Sequence, residues 1–171
     1  QSRCAVFRFR PLDSEKVLEK VMEVANSEGV ELEETAARAI ADVSLGDLRK
    51  AITSLQVAAS LDSHVTRDLV YETTATAPPE ELHGFFLACK EDGFQPARRR
   101  MREILDRFGL AGTDLVNQLH RELGKVTFLD EPQKLKVTEA MAECDFRMVE
   151  GGGESLQLDA MAARICSMLG N

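Results

Sequence analysis

The stretch "VSLGDLRKAITSLQ", residues 43–56, decides how the first part of the chain is read. Ser44 and Asp47 are residue types that start helices, and Leu48, Ala51, Ile52, Leu55 and Ala59 follow at helical spacing. Arg49 and Lys50 then fall in the first turn. The backbone there already carries partial positive charge, which disfavours each cation by about 0.3–1 kcal/mol. Positions 49, 53, 56 and 60 (Arg, Thr, Gln, Ser) form the face opposite the apolar stripe. Arg49 is therefore expected to point away from its own core, beside free backbone N–H groups. Cations and N–H donors together suit an anion, although a solvated surface arginine is the simpler account of the pattern alone.

Working outward, the flanking sequence is helical. Pro11, Leu12 and Asp13 open a helix in which Asp13 is the expected cap and Leu12 packs on Val17. Val17, Leu18, Val21, Met22 and Ala25 form its stripe, and Gly29 stops it. A shorter helix is predicted around residues 33–42, and Thr66 caps a fourth that runs to about Thr73. Upstream, "CAVFRF" at residues 4–9 alternates like one strand, with no convincing partner strand after it. The expectation is that the chain begins on the last strand of a domain it does not contain, and that it is a fragment or a processed chain.

"TTATAPPEEL", residues 73–82, is the clearest boundary, with small residues before Pro78 and Pro79 and acids in the following first turn. About five more helices are predicted beyond it. Their stripes are Leu82, Phe85 and Phe86; Ala97, Met101, Ile104, Leu105 and Phe108; Leu115, Leu119 and Leu123; Leu135, Ala142, Phe146 and Val149; and Leu158, Met161, Ala162, Ile165 and Leu169.

Composition agrees with packed helices. Of 171 residues 44% are hydrophobic but only 5% aromatic, so the core is built from aliphatic side chains. A net charge of −8 gives no electrostatic footprint for nucleic acid on this chain. Cys4, Cys89, Cys144 and Cys166 lack metal-ligand spacing. Pairing among them stays open at the level of sequence, and the expectation is four free thiols in a cytoplasmic protein. No export signal and no membrane span is read.

Other candidate sites reduce to structural readings. "EGGGE", residues 150–154, lacks the Lys-Ser or Lys-Thr of a phosphate loop and is expected to break two helices. "ARRRMRE", residues 97–103, places Arg98 and Arg102 one turn apart, where they could contact a phosphate. Pairing with nearby acids (Glu91, Asp92, Glu103, Asp106) on a solvated face explains them more simply. His64, His83 and His120 show no partner pattern.

"QSRCAVFRFRPL" (1–12), "GDLRKAITSLQ" (46–56) and "DFRMVEGGGESLQLDAM" (145–161) occur in one order. Together they resemble the C-terminal part of a replication factor C small subunit, in its archaeal form, a clamp loader of the AAA+ ATPase class. The resemblance covers essentially the whole chain. It implies an all-α fold: residues 1–10 as the end of the AAA+ core, 11–75 as a helical lid and 76–171 as a helical collar for oligomerisation.

It further implies that Arg3 is an arginine finger acting on a neighbouring subunit's ATP, and that Arg49 is a sensor contacting the terminal phosphate of ATP in its own subunit. Lys50 receives no role. Thr53 stands where the family often has Asn, and Gly151-Gly152-Gly153 where it often has Gly-Ala-Asn. ATP and magnesium are implied for the full-length protein, and no cofactor, metal or ATPase activity for this chain. The implied partners are other small and large replication factor C subunits, and the sliding clamp and primer–template DNA through the core. Two other accounts fit the helices: an interaction module with no nucleotide role, and the lid of another AAA+ machine such as a branch-migration motor.

Overall fold

The computed structural model describes residues 10–170. Arg3, Cys4 and the strand expected at residues 4–9 lie outside the described residues. The chain divides into two compact units, residues 1–74 and 75–171.

The first unit contains α1 (Ser14–Glu28), β1 (Glu31–Leu32), α2 (Glu34–Ser44), α3 (Leu48–Leu61), β2 (His64–Val65) and α4 (Arg67–Thr73). Val17, Val21 and Ala25 of α1 are buried, and Gly29 ends the helix in the left-handed region at φ 69°. Asp13 occupies the N-cap position, but its carboxylate makes no cap bond, and Leu12 is exposed rather than stapled. The Leu12 N–H donates instead to the Gly46 carbonyl at 3.0 Å. Ala36, Ala37 and Ala41 give α2 a smooth face, and Ile40 fills the space between its neighbours α1, α3 and α4.

β1 and β2 form a two-residue parallel ladder, with Glu31 opposite His64 and Leu32 opposite Val65. Elements this short show no alternation, so periodicity does not reveal them. The ladder also gives His64 partners that its sequence neighbours did not suggest. Its Nδ1 lies 3.3 Å from Glu31 Oε1 and its Nε2 lies 3.2 Å from Glu33 Oε1.

The second unit contains α5 (Pro79–Glu91), α6 (Phe94–Phe108), α7 (Gly112–Leu123), α8 (Glu131–Val149) and α9 (Glu154–Leu169). Leu82, Phe85, Phe86, Met101, Ile104, Leu115, Leu119, Met141, Leu158 and Ile165 are its large buried side chains. α9 packs on all four other helices. Gln118, buried on α7, accepts from the Ala77 N–H at 2.9 Å and donates to the Ala75 carbonyl at 3.2 Å, fixing the segment that leads into α5. An Asp130–Gln133 capping box starts α8.

The stripe expected on α8 is corrected. Val137, Ala140, Met141 and Cys144 face the core, whereas Leu135, Phe146 and Val149 are 67%, 63% and 71% exposed and Ala142 is exposed too. Both sets have helical spacing. The set with the small residue Ala140 is the one turned to the core, where α8 packs closely on α9 and α7. Residues 150–153 break α8 from α9, as expected. Gly151 sits at φ 92°, and a Cβ on Gly152 would lie 2.6 Å from the Arg147 carbonyl oxygen. The described fold is all-α apart from the short ladder. No helix among the described residues is long and apolar enough to cross a membrane.

The His64 cluster predicts a pH effect. Hydrogen bonding to Glu33, with help from Glu31, raises the imidazole above its ordinary 6.5. A raised histidine contributes its stability fully below that ordinary value and loses it as pH rises through the folded value. Denaturant melts should therefore show the first unit weakening as pH climbs from 6.5, and His64→Gln should flatten that slope. An unchanged slope in the variant would mean that the cluster contributes nothing.

Candidate functional site

The site is built by the turn between α2 and α3. Ser44, expected to help start α3, instead ends α2, and its buried hydroxyl donates to the Ala41 carbonyl at 2.8 Å. Leu45 and Gly46 then take positive φ, 53° and 82°. Glycine is required at the second position, because a Cβ there would lie 2.6 Å from the Leu12 carbonyl oxygen and 2.7 Å from Pro11 Cβ. Asp47 caps α3 by accepting the Lys50 N–H at 3.1 Å. The amides of Leu48 and Arg49 have no acceptor among the described residues.

The buried face of α3 is Ala51, Ser54, Leu55 and Ala58. Leu48, Ile52 and Ala59 are half-buried at its edges, so the stripe is rotated slightly from the expected one. Arg49, Thr53, Gln56 and Ser60 are all exposed on the opposite side. No acid lies in the first turn, and neither Arg49 nor Lys50 has an ionic partner among the described residues. These two cations border an open groove of about 330 Å³ between the start of α3 and the end of α4, which Thr53, Thr73 and Thr74 also line. Thr73 donates inward to the Leu69 and Val70 carbonyls, and Thr74 to that of Val70.

Two cations and two amides without partners among the described residues, beside an open groove, suit an anionic group such as the end of a triphosphate. They form only one wall for it. The sequence has no G-x-x-x-x-G-K-[ST] loop to hold the rest.

The basic cluster of α6 is engaged elsewhere. Arg98 lies 2.8 Å and Arg102 3.1 Å from the Asp159 carboxylate on α9, and Arg102 also donates to Ser155 Oγ at 3.1 Å. Arg100 lies 3.1 Å from Glu81 on α5. The hydrogen bond from Arg98, aided by the charge of Arg102, holds the Asp159 carboxyl below its usual range. The partners are thus acids from other helices and not the nominated neighbours Glu91, Asp92, Glu103 and Asp106. His83 has a partner too, Glu122 on α7 at 3.3 Å, while His120 is exposed.

Residues 77–164 match the family described as "Replication factor C C-terminal domain". The chain belongs to the replication factor C family. Residues 16–60 match the "RCF1/5-like, AAA+ ATPase lid domain", so Arg49 and its turn lie inside the lid match. Similar proteins named replication factor C small subunit occur in Pyrococcus horikoshii, 40% identical over 96% of this chain, and in Methanocella arvoryzae, 36% identical over 95% of it. A third, in Archaeoglobus fulgidus, is 38% identical over 98%. This chain spans 19% of the first relative's length and 50% and 52% of the other two.

Of the two site residues taken from the family resemblance, Arg49 stands exposed at the groove and Arg3 lies outside the described residues. The threonines at the end of α4 were missed because they reach the groove through tertiary packing. No local signal in "YETTAT" marks them.

The turn can be tested directly. Gly46→Ala adds a methyl group where the backbone has no room and φ is positive, so it should cost about 2 kcal/mol or more. Equilibrium denaturation of the chain measures this, and a loss under about 0.5 kcal/mol would show that the turn relaxes easily.

Proposed function

We propose that this chain is the lid and collar of a clamp-loader small subunit whose full-length form uses ATP to place a sliding clamp on primed DNA. The observation that supports the proposal is Arg49, exposed and without an ionic partner among the described residues, at the Gly46-Asp47-Leu48-Arg49 turn within the segment matched to a lid domain. In this reading residues 1–10 end the ATPase core, 11–75 form the lid and 76–171 form the collar. ATP with magnesium, bound by the core of the full-length protein, supplies the phosphoryl-transfer chemistry. Arg49 contacts the terminal phosphate from its own subunit's lid. Arg3 reaches the nucleotide of the neighbouring subunit and stabilises charge developing in transfer. The chain itself, without the core, hydrolyses nothing.

The collar assembles with other replication factor C subunits, while clamp and DNA are met by the core. The exposed side of α8 supports an assembly role. Leu135, Phe146 and Val149, with Leu156 of α9, are apolar residues that the second unit leaves uncovered.

In the full-length protein, Arg49→Ala should sharply reduce ATP-dependent clamp loading while leaving the melting temperature unchanged or slightly higher. The side chain is off the core, and its removal relieves an unfavourable helix-end charge. A clear loss of thermal stability would make Arg49 structural, and unchanged loading would remove its role.

Assembly has its own test. Phe146→Asp combined with Val149→Asp should weaken subunit association of the full-length protein at least tenfold by sedimentation, with helical content intact. Unaltered association would move the interface away from α8.

A further inference from the structure

Leu45 is unfavourably placed in two independent ways. It ends α2 in the left-handed region at φ 53° and ψ 36°, a position usually taken by glycine because a Cβ is crowded there. Its side chain is also 60% exposed, so burial does not offset that strain. A lone exposed leucine is ordinary. An exposed leucine that also holds a strained backbone is not.

A second leucine stands at the same place. Leu12 is 43% exposed, and its N–H donates to the carbonyl of Gly46, the residue after Leu45, at 3.0 Å. The Leu12 carbonyl oxygen and Pro11 Cβ lie 2.6 Å and 2.7 Å from where a Cβ on Gly46 would be. The entering chain therefore passes directly against the turn between α2 and α3, and the first unit leaves both leucines largely uncovered at the crossing.

Chain length limits what can cover them. Residues 10 and 12 are at most about 7 Å apart, so a folded domain that ends at residue 10 has to lie against this turn. This chain spans only 50% and 52% of its relatives in Methanocella arvoryzae and Archaeoglobus fulgidus, which leaves room in such proteins for a domain of that kind.

We propose that Leu45 and Leu12 are an apolar docking point for the domain that residues 1–10 close. The inference rests on the reading of those residues as the end of an ATPase core, and it adds the contact through which that core grips the turn carrying Arg49. The matching surface of the core is apolar, because its gain is the removal of two leucine side chains from water. Docking offsets the strain of a left-handed leucine, and it holds the turn immediately before Gly46, where the path into α3 is set.

Hydrogen exchange in the full-length protein tests this, measured without nucleotide so that no phosphate protects the turn. Amides of residues 43–50 should exchange about tenfold more slowly there than in this chain alone. Leu45→Asn suits the left-handed backbone and takes away the apolar contact. It should leave the melting temperature of this chain unchanged or slightly higher, abolish the added protection in the full-length protein and lower ATP-dependent clamp loading. Leu45→Met, which keeps an apolar side chain, should retain the protection. Equal exchange in the two wild-type proteins, or protection that survives Leu45→Asn, overturns the proposal. So does sedimentation showing that this chain self-associates through Leu45, because a second copy would then be the cover. Arg49→Ala separates the inference from the reading beneath it, since it should cut loading and leave the protection in place. Protection intact with loading unaffected by Arg49→Ala would remove the ATP role of Arg49 and keep the docking point.

Discussion

A side chain at position 46 would strike the Leu12 carbonyl oxygen at 2.6 Å, so the turn between α2 and α3 has room there for glycine alone. Much of the first unit follows from that. The Leu12 N–H closes on the Gly46 carbonyl, tying the entry to α1 to the turn between α2 and α3. The chain leaves the turn in the extended conformation that lets Asp47 cap α3. Capping at 47 in turn phases the helix. Ala51, Leu55 and Ala58 point inward, and Arg49 is left on the outside. A shift of one residue would rotate α3 by about 100° and drive a guanidinium toward the core. The position of the cation is thus set by a steric restriction three residues earlier.

The second unit depends on α9 in a comparable way. The helix packs on every other helix of the unit, and it carries the carboxylates that organise the neighbouring chain ends. Asp159 gathers Arg98 and Arg102, and the Glu154 carboxylate accepts the Gly112 N–H at 2.9 Å at the start of α7. These groups are partly exposed, so each contact contributes modestly. Their value lies in direction: they orient α6 and α7 on a core whose apolar side chains would tolerate several arrangements.

Much of the fold was legible because helices repeat a local rule. Every helix expected in the described residues is present, and the break at 150–153 was marked by three glycines. Failures came where two local patterns competed or where a partner was distant. α8 carries two apolar stripes, and side-chain size alone favours the wrong one. The smaller stripe is the one turned to the core, where α8 packs on α7 and α9. The ionic partners of Arg98, Arg100 and His64 come from elements far away in sequence, so neighbouring acids were a poor guide. The candidate site was half legible. The conflict between Arg49 and its helix end was visible in the sequence. The other wall of the groove, at Thr73 and Thr74, required the packing of α4 on α3.

The conflict at the helix end is softened by Asp47. Its carboxylate places negative charge beside the first turn and takes one orphan amide, that of Lys50. It does not reach the amides of Leu48 and Arg49. A stronger local solution was available: an acid at position 49 or 50 would relieve the helix end by about 0.3–1 kcal/mol and remove a cation. The turn instead keeps two cations beside one groove, with two amides that have no acceptor among the described residues. The cations at this helix end cost stability as long as nothing offsets them. In the proposed reading, in which Arg49 contacts the terminal phosphate of ATP, the anion's charge would offset that cost, and the groove would be one wall of the site.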